Sequence, residues 1–440
     1  MTKRIAIFLI LLLLALSPAS LEARLAAERS VLKNGLVLLT SEQGALPMVT
    51  FNLLVRAGSR HDSQGKEGLA NLTSRLLTYG TKKKTALEIS EMVDFIGAEL
   101  STGSGEELAT ISMTLLKKHL PIGLELLAGI LTEAAFPQEE IGRQKQQVIA
   151  SIRGKQEDPG EIAQMAFMRA LYPKSPYGRP VEGTENSVTG IERSSVLDFY
   201  ERYYRPNRAI LAVVGDVSHQ EMVAALTQAF KDWKMGPSDS EVSPHPSPGA
   251  AEFIRVNKSI TQANIIIGHE GVPRGHPDYY AIQVMNYILG GGGFTSRLME
   301  EIRNQRGLAY SVYSLFYGDK YVGTFQATMQ TKNESAGEAI RIAKEEIRRI
   351  RDDGVTAEEL EATQSYLTGS FPLRLDTNRR IAGFLAQIEY FELGLDYVER
   401  YPDLIRAVSR ADVQRVAQSY LRPEKLIVVV VADQAKAALK

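Results

Sequence analysis

The sequence predicts an α+β protein built from two copies of one domain, and three observations carry that prediction. The first is an internal echo: Tyr203-Tyr204-Arg205-Pro206 before Val213-Val214-Gly215-Asp216 returns as Tyr420-Leu421-Arg422-Pro423 before Val430-Val431-Ala432-Asp433, at a constant offset of 217 residues. The second is a half-buried strand in each copy. Ala109, Ile111, Met113 and Leu115 alternate with Thr110, Ser112 and Thr114, and Phe325, Ala327 and Met329 alternate with Thr324, Gln326, Thr328 and Gln330. The third is a break in composition between Trp233 and Phe253, where Pro237, Pro244, Pro246 and Pro248 sit among Ser, Gly and charged residues and no periodicity survives. The expected organisation is a leader over 1–23, a first domain over 28–234, a linker over 235–252 and a second domain over 253–435.

The elements follow in order. Lys3 and Arg4 precede an apolar run over 5–16, too short to span a bilayer comfortably but suited to the core of a signal peptide, with Ala19 and Ala23 as candidate cleavage points. The expected product is an exported protein, periplasmic in a bacterium, with no stable membrane insertion after leader cleavage; an uncleaved anchor is the alternative. Asn34-Gly35 marks a turn before strand-like runs at 36–39 and 49–55. Helices are expected over 68–79, over 87–96 with Leu87, Met92, Val93 and Ile96 near one face, and over 120–134, 139–156, 161–171 and 196–203. A short buried strand covers 209–214. The second copy predicts a strand at 263–267 and helices over 279–289, 336–350, 357–369, 381–393 and 413–420.

Composition excludes several function classes. Lys plus Arg total 51 against 52 for Asp plus Glu, so no basic field argues for nucleic acid. The absence of cysteine excludes disulfides, thiol catalysis and cysteine-bound zinc. There is no Gly-x-Ser-x-Gly elbow, and the four-glycine run follows a helix without a Lys-Ser/Thr after it, which argues against a phosphate loop.

That run opens the most informative stretch. Gly290, Gly291, Gly292 and Gly293 end an apolar segment, Thr295 and Ser296 are placed to cap a new helix, Arg303 rides on it, Gly307 stops it and Tyr310 opens a strand. A guanidinium and a phenol at the two ends of one short turn can both donate to a carbonyl or oxyanion. The runs Ser296-Arg297-Leu298, Glu301-Ile302-Arg303 and Arg306-Gly307-Leu308-Ala309-Tyr310-Ser311-Val312 resemble the C-terminal-domain signature of the pitrilysin/insulinase family of inverted-motif zinc peptidases. The resemblance implies two homologous α/β-sandwich domains forming one half of a clam shell, in which Arg303, Tyr310 and the glycines contact peptide substrate.

Catalytic members of that family carry His-x-x-Glu-His on a first-domain helix and a third ligand, Glu, on a later one. Here the frame survives, with Arg56-Ala57-Gly58-Ser59-Arg60 leading to Gly68-Leu69-Ala70 and Tyr79-Gly80-Thr81 closing it, but the matching positions hold Asn71, Ser74, Arg75 and Ser151. Asn is a poor zinc ligand, Ser74 is no general base, and the permanent cation of Arg75 repels a divalent ion. Of the six histidines (His61, His119, His219, His245, His269 and His276), none lies three or four residues from another, and His269 and His276 read as strand-end and turn residues. The resemblance therefore implies a chain with no cofactor of its own. It is similar to the metal-free subunit of two-chain members such as mitochondrial processing peptidase, whose partner would be a homologous, zinc-bearing chain acting on peptide or unfolded polypeptide. The alternative is a non-enzymatic peptide-binding or scaffolding protein of the same fold. An independently active peptidase with a reshaped site lacks a visible base or metal set.

Overall fold

The computed structural model describes residues 26–237 and 248–439. The expected leader, with Ala19 and Ala23, and the middle of the Pro-rich linker lie outside the described residues. The first half runs β1 (Glu28–Val31), β2 (Val37–Glu42), β3 (Met48–Val55), α1 (Leu69–Leu76), α2 (Ala86–Phe95), β4 (Glu99–Ser104), β5 (Ala109–Leu116), α3 (Leu120–Thr132), α4 (Gln138–Glu157), α5 (Pro159–Leu171), α6 (Glu185–Gly190), α7 (Arg193–Tyr203), β6 (Ala209–Gly215) and α8 (His219–Ala229). The second half runs β7 (Phe253–Asn257), β8 (Gln262–Glu270), α9 (Tyr279–Asn286), β9 (Ala309–Gly318), β10 (Gly323–Lys332), α10 (Ala336–Asp353), α11 (Ala357–Gly369), α12 (Asn378–Tyr390), α13 (Tyr397–Arg406), α14 (Arg410–Tyr420), β11 (Ile427–Ala432) and α15 (Gln434–Ala437).

The sheets are ordered β1-β2-β6-β3-β5-β4 and β7-β11-β8-β10-β9. With β1 set aside the two orders correspond strand for strand, and the one parallel pair described in each, β2 with β6 and β7 with β11, falls at the same place. Helices α7 and α14 begin and end 217 residues apart, at the offset read from the sequence. The repeat is therefore structural as well as textual: two homologous α+β domains.

Strand burial follows the side-chain pattern. Along β5 the apolar positions are buried and the threonines and serine half-exposed, as period-two alternation requires. Strands β6 and β11 are buried on both faces throughout. Their unbroken apolar runs answer to two different cores. On β6, Leu211 and Val213 face the first half's own helices, whereas Ile210, Ala212 and Val214 join a cluster with Ile381, Leu385 and Ala386 of α12, a helix of the second half. The reciprocal contact also forms: Ala163, Phe167 and Leu171 of α5 cover Ile266 of β8 and Ile427, Val429 and Val431 of β11. Each half thus lends one helix to the back of the other's sheet.

Two local expectations are corrected. Leu87 was placed with Met92, Val93 and Ile96 on a packed face, yet it is 67% exposed and Ile89 is buried in its stead. The Thr85–Glu88 capping box starts α2 at Ala86 and turns the first helical turn so that Ile89, not Leu87, points inward. Thr295 and Ser296 were expected to cap a helix through their side chains. Instead both hydroxyls donate backwards, Thr295 Oγ1 to the Gly292 carbonyl at 3.0 Å and Ser296 Oγ to that of Gly293 at 2.8 Å. The helix that follows is wound as a π-helix over Met299–Asn304, and a second π segment, Tyr287–Gly291, extends α9.

The halves meet where the β4–β5 and β9–β10 turns face each other. The buried Glu107 carboxylate accepts from Tyr177 Oη at 2.8 Å, Tyr390 Oη at 2.6 Å and the Lys320 amide at 3.2 Å, joining both halves through one acceptor. Asp319 lies beside it, and burial, reinforced by Glu107 and Glu106, pushes its carboxyl up to about 7. The folded state therefore favours the protonated acid. Stability from this group is complete below the ordinary carboxylate range and declines as pH rises towards about 7. Asp319→Asn is expected to raise stability by roughly 1–2 kcal/mol at pH 8 and to leave it nearly unchanged at pH 4, which urea titration at the two pH values measures.

Candidate functional site

Two clusters are candidates, one in each half. In the second half α9 ends in the glycine run, and the reason differs along it. Gly290 is buried, and a Cβ there would stand 2.5 Å from the Ser314 amide of β9, so this glycine serves close packing. Gly291, Gly292 and Gly293 lie at or near the surface, and Gly293 takes the left-handed conformation at φ 58°. The π-wound segment that follows is pinned from below: Arg297 donates to both Glu359 oxygens, at 2.7 and 2.8 Å, and to the Gly354 carbonyl at 2.9 Å. Asn286 ties α9 to β9 by bonding the Ser314 carbonyl and accepting the Ser314 hydroxyl.

On this support sit the two residues singled out by sequence. The Gly307 amide closes the turn on the Arg303 carbonyl at 2.9 Å, and Gly307 itself has φ 61°, so Tyr310 enters β9 directly beside Arg303. The Arg303 guanidinium carbon lies 5.0 Å from the Tyr310 ring centroid and 4.6 Å from that of Phe294. The cation is held between two aromatic rings, the arrangement that attracts a guanidinium to a π face. Tyr310 is 81% exposed and Phe294 65%. Arg303 itself is half-buried, and its guanidinium and the phenol of the exposed Tyr310 are the hydrogen-bond donors of this turn. Strand β9 is the free edge of its sheet, and Tyr313, Leu315 and Tyr317 are also exposed along it. Phe294 was missed in the sequence, and Arg297 was read only as part of the Ser296-Arg297-Leu298 run. An aromatic residue inside a Gly/Ser/Thr stretch is the signal for the first; the Arg297–Glu359 pair spans 62 residues and leaves no local pattern.

In the first half α1 packs on α4 and beside β4. Ser74 is fully buried and donates to the Gly103 carbonyl of β4 at 2.7 Å. Arg75 reaches α4, where its Nε donates to Oε1 of the buried Gln144 at 3.3 Å. Asn71 is half-buried, and its Oδ1 is shut away from solvent without a hydrogen-bond partner. Ser151 is exposed two turns beyond Gln144 along α4 and meets none of the three. The fold therefore brings Asn71 and Arg75 onto one face, turns Ser74 into a structural tether and leaves Ser151 in solvent.

The histidines behave as packing groups. His269 carries its proton on Nδ1, 2.7 Å from the Glu270 carbonyl, because its Nε2 accepts from the Arg422 amide. Burial holds its pKa down to about 4, so the ring is neutral. His276 Nδ1 accepts from the Asp278 amide at 3.1 Å in a turn. Among the described residues no three His, Cys, Asp or Glu side chains are grouped so as to hold a metal ion, and no helix is long and apolar enough to cross a membrane. His245 lies outside the described residues.

Comparison with known proteins bears on the family and the fold. Residues 37–185 match the family model described as insulinase (peptidase family M16), and residues 190–367 match the one described as peptidase M16 inactive domain. An uncharacterized zinc protease of Rickettsia bellii is 31% identical over 73% of this chain and 80% of its own, and one of Streptomyces coelicolor is 26% identical over 92% and 90%. A crystal structure titled as a peptidase M16 inactive domain, from Pseudomonas fluorescens, superposes with a TM-score of 0.88 at 27% identity, covering 93% of this chain and 98% of that one. A Helicobacter pylori protease superposes at 0.84 with 20% identity and shares the fold. With a two-domain fold shared with these structures and matches to the family over both halves, the chain belongs to the insulinase (peptidase M16) family.

Proposed function

We propose that this chain is the metal-free, substrate-binding subunit of an exported two-chain zinc metalloendopeptidase. The observation that carries the reading is the Arg303 guanidinium stacked on Phe294 and Tyr310, in a chain that holds Asn71, Ser74, Arg75 and Ser151 where the resemblance places the metal set. A homologous partner chain brings the zinc and its activated water. This chain brings donors that bind the peptide backbone and stabilise the oxyanion of the tetrahedral intermediate. Gly291, Gly292 and Gly293 let an extended peptide approach the turn closely, since no side chain stands in the way.

The test is affinity purification of the tagged protein from its native exported fraction. The expected result is near-equal recovery of a homologous chain bearing His-x-x-Glu-His. Recovery of this chain alone removes the enzyme-subunit reading and leaves a peptide-binding or scaffolding protein.

A finer test addresses the turn itself. Phe294→Leu is expected to leave stability within about 0.5 kcal/mol, because the ring is mostly exposed. It should weaken peptide binding roughly two- to fivefold, through loss of one face of the guanidinium sandwich. Anisotropy titration of a labelled peptide, beside a melting curve, separates the two effects.

A further inference from the structure

The face of α1 where catalytic relatives hold a metal carries unclaimed hydrogen-bond donors. Asn71 and Arg75 lie one helical turn apart and so point to the same side. Arg75 is half-buried, and its described partner is the neutral amide of Gln144; it forms no ion pair with any described acid. Gln144 is 1% exposed and cannot neutralise the charge. A guanidinium in that setting keeps its full attraction for an anion, which a surface ion pair would have dissipated. Asn71 adds an independent observation. Its Oδ1 is turned inward without any partner, which leaves its NH2 as the outward end. A buried acceptor left unsatisfied is unfavourable, and it is tolerated here one helical turn from Arg75.

We infer that Asn71 and Arg75 form a carboxylate-binding site, with Arg75 providing the charge-assisted hydrogen bonds and the Asn71 amide a further donor. The metal position has become an anion position. The ligand class is a peptide carboxylate, either the C-terminal group or an Asp or Glu side chain, so this inference rests on the reading of the chain as peptide-binding. Ser74 and Gln144 hold the arrangement from behind, the first tied to β4 and the second fixing the Arg75 Nε.

The experiment titrates the intact chain with three fluorescein-labelled decapeptides of alternating Val and Ser. One has a free C-terminus and no acidic residue, one is amidated with a single central Glu, and one is amidated with no acid. The expected result is that the first or the second binds about tenfold more tightly than the third, the arm that gains identifying the source of the carboxylate. Arg75→Gln should abolish that preference, whereas Arg303→Ala should weaken all three alike and preserve it. Asn71→Ala, which removes the inner orphan oxygen together with the donor, should reduce the preference and guards against a folding defect in the Arg75 variant. Equal affinity for the three peptides, or an unchanged preference in Arg75→Gln, overturns the carboxylate site and leaves peptide binding standing. Failure of all three to bind overturns both.

Discussion

Arg303→Ala is expected to lower turnover by the proposed two-chain enzyme roughly 100- to 1000-fold while leaving its assembly intact, the usual consequence of removing one oxyanion donor. The geometry argues for both parts. Arg303 is half-exposed and stacked on Phe294 and Tyr310, with none of its guanidinium bonds holding the fold together in the way that Arg297 does through Glu359 and Gly354. Its removal leaves the π-wound turn anchored by Arg297, Asn286 and the Gly307 amide. The measurement is kcat for a quenched peptide with the reconstituted pair, beside size-exclusion chromatography of the same sample. Wild-type turnover would remove the assigned role. Lost assembly would make the residue structural. Tyr310→Phe, which keeps the ring against the guanidinium and deletes only the hydroxyl, separates packing from donation: a kcat loss there belongs to the hydroxyl.

Phe167→Ala is expected to destabilise the chain by about 3–5 kcal/mol, the usual range for deleting a fully buried aromatic ring, and to lower both halves together in one transition. Phe167 belongs to α5 in the first half but lies wholly buried against Ile266, Val429 and Val431 of the second half's sheet. It also explains a glycine. A Cβ at Gly268 would stand 2.8 Å from the Phe167 ring and 2.2 Å from the Phe325 carbonyl, so the ring occupies the space that Gly268 leaves. The cavity left by alanine would open in a core shared between halves. Because α12 makes the reciprocal contact on β6, neither sheet keeps both faces covered when the other half unfolds. Urea unfolding followed by the single tryptophan, Trp233 in the first half, and by hydrogen exchange in β10 of the second, tests this. Separate midpoints for the two halves would show that the exchanged helices do not couple them.

The two predictions mark where local pattern ended. Alternation along β5 and β10 and the 217-residue echo were legible because each depends on residues near one another in the chain, or on a repeat that copies a whole unit. The apolar run of β6 announced a buried strand without naming what covers it. Leu87 failed for a local reason, since its face is set by where the capping box starts the helix. The π-wound Met299–Asn304 packs against β9 and α10, contacts that no window of sequence contains.

For the site, the sequence placed Asn71, Ser74, Arg75 and Ser151 where the resemblance implies a metal set, residue types poorly suited to zinc, and put Arg303 and Tyr310 at the ends of one turn. Ligand chemistry and a seven-residue spacing are properties of the chain itself. Tertiary structure alone decided that Phe294 completes the guanidinium sandwich, that Gln144 and not Ser151 receives Arg75, and that α5 and α12 change sides. Each of these depends on contacts between elements far apart in sequence, whose pairing is set by which apolar faces remain to be covered once local structure has formed.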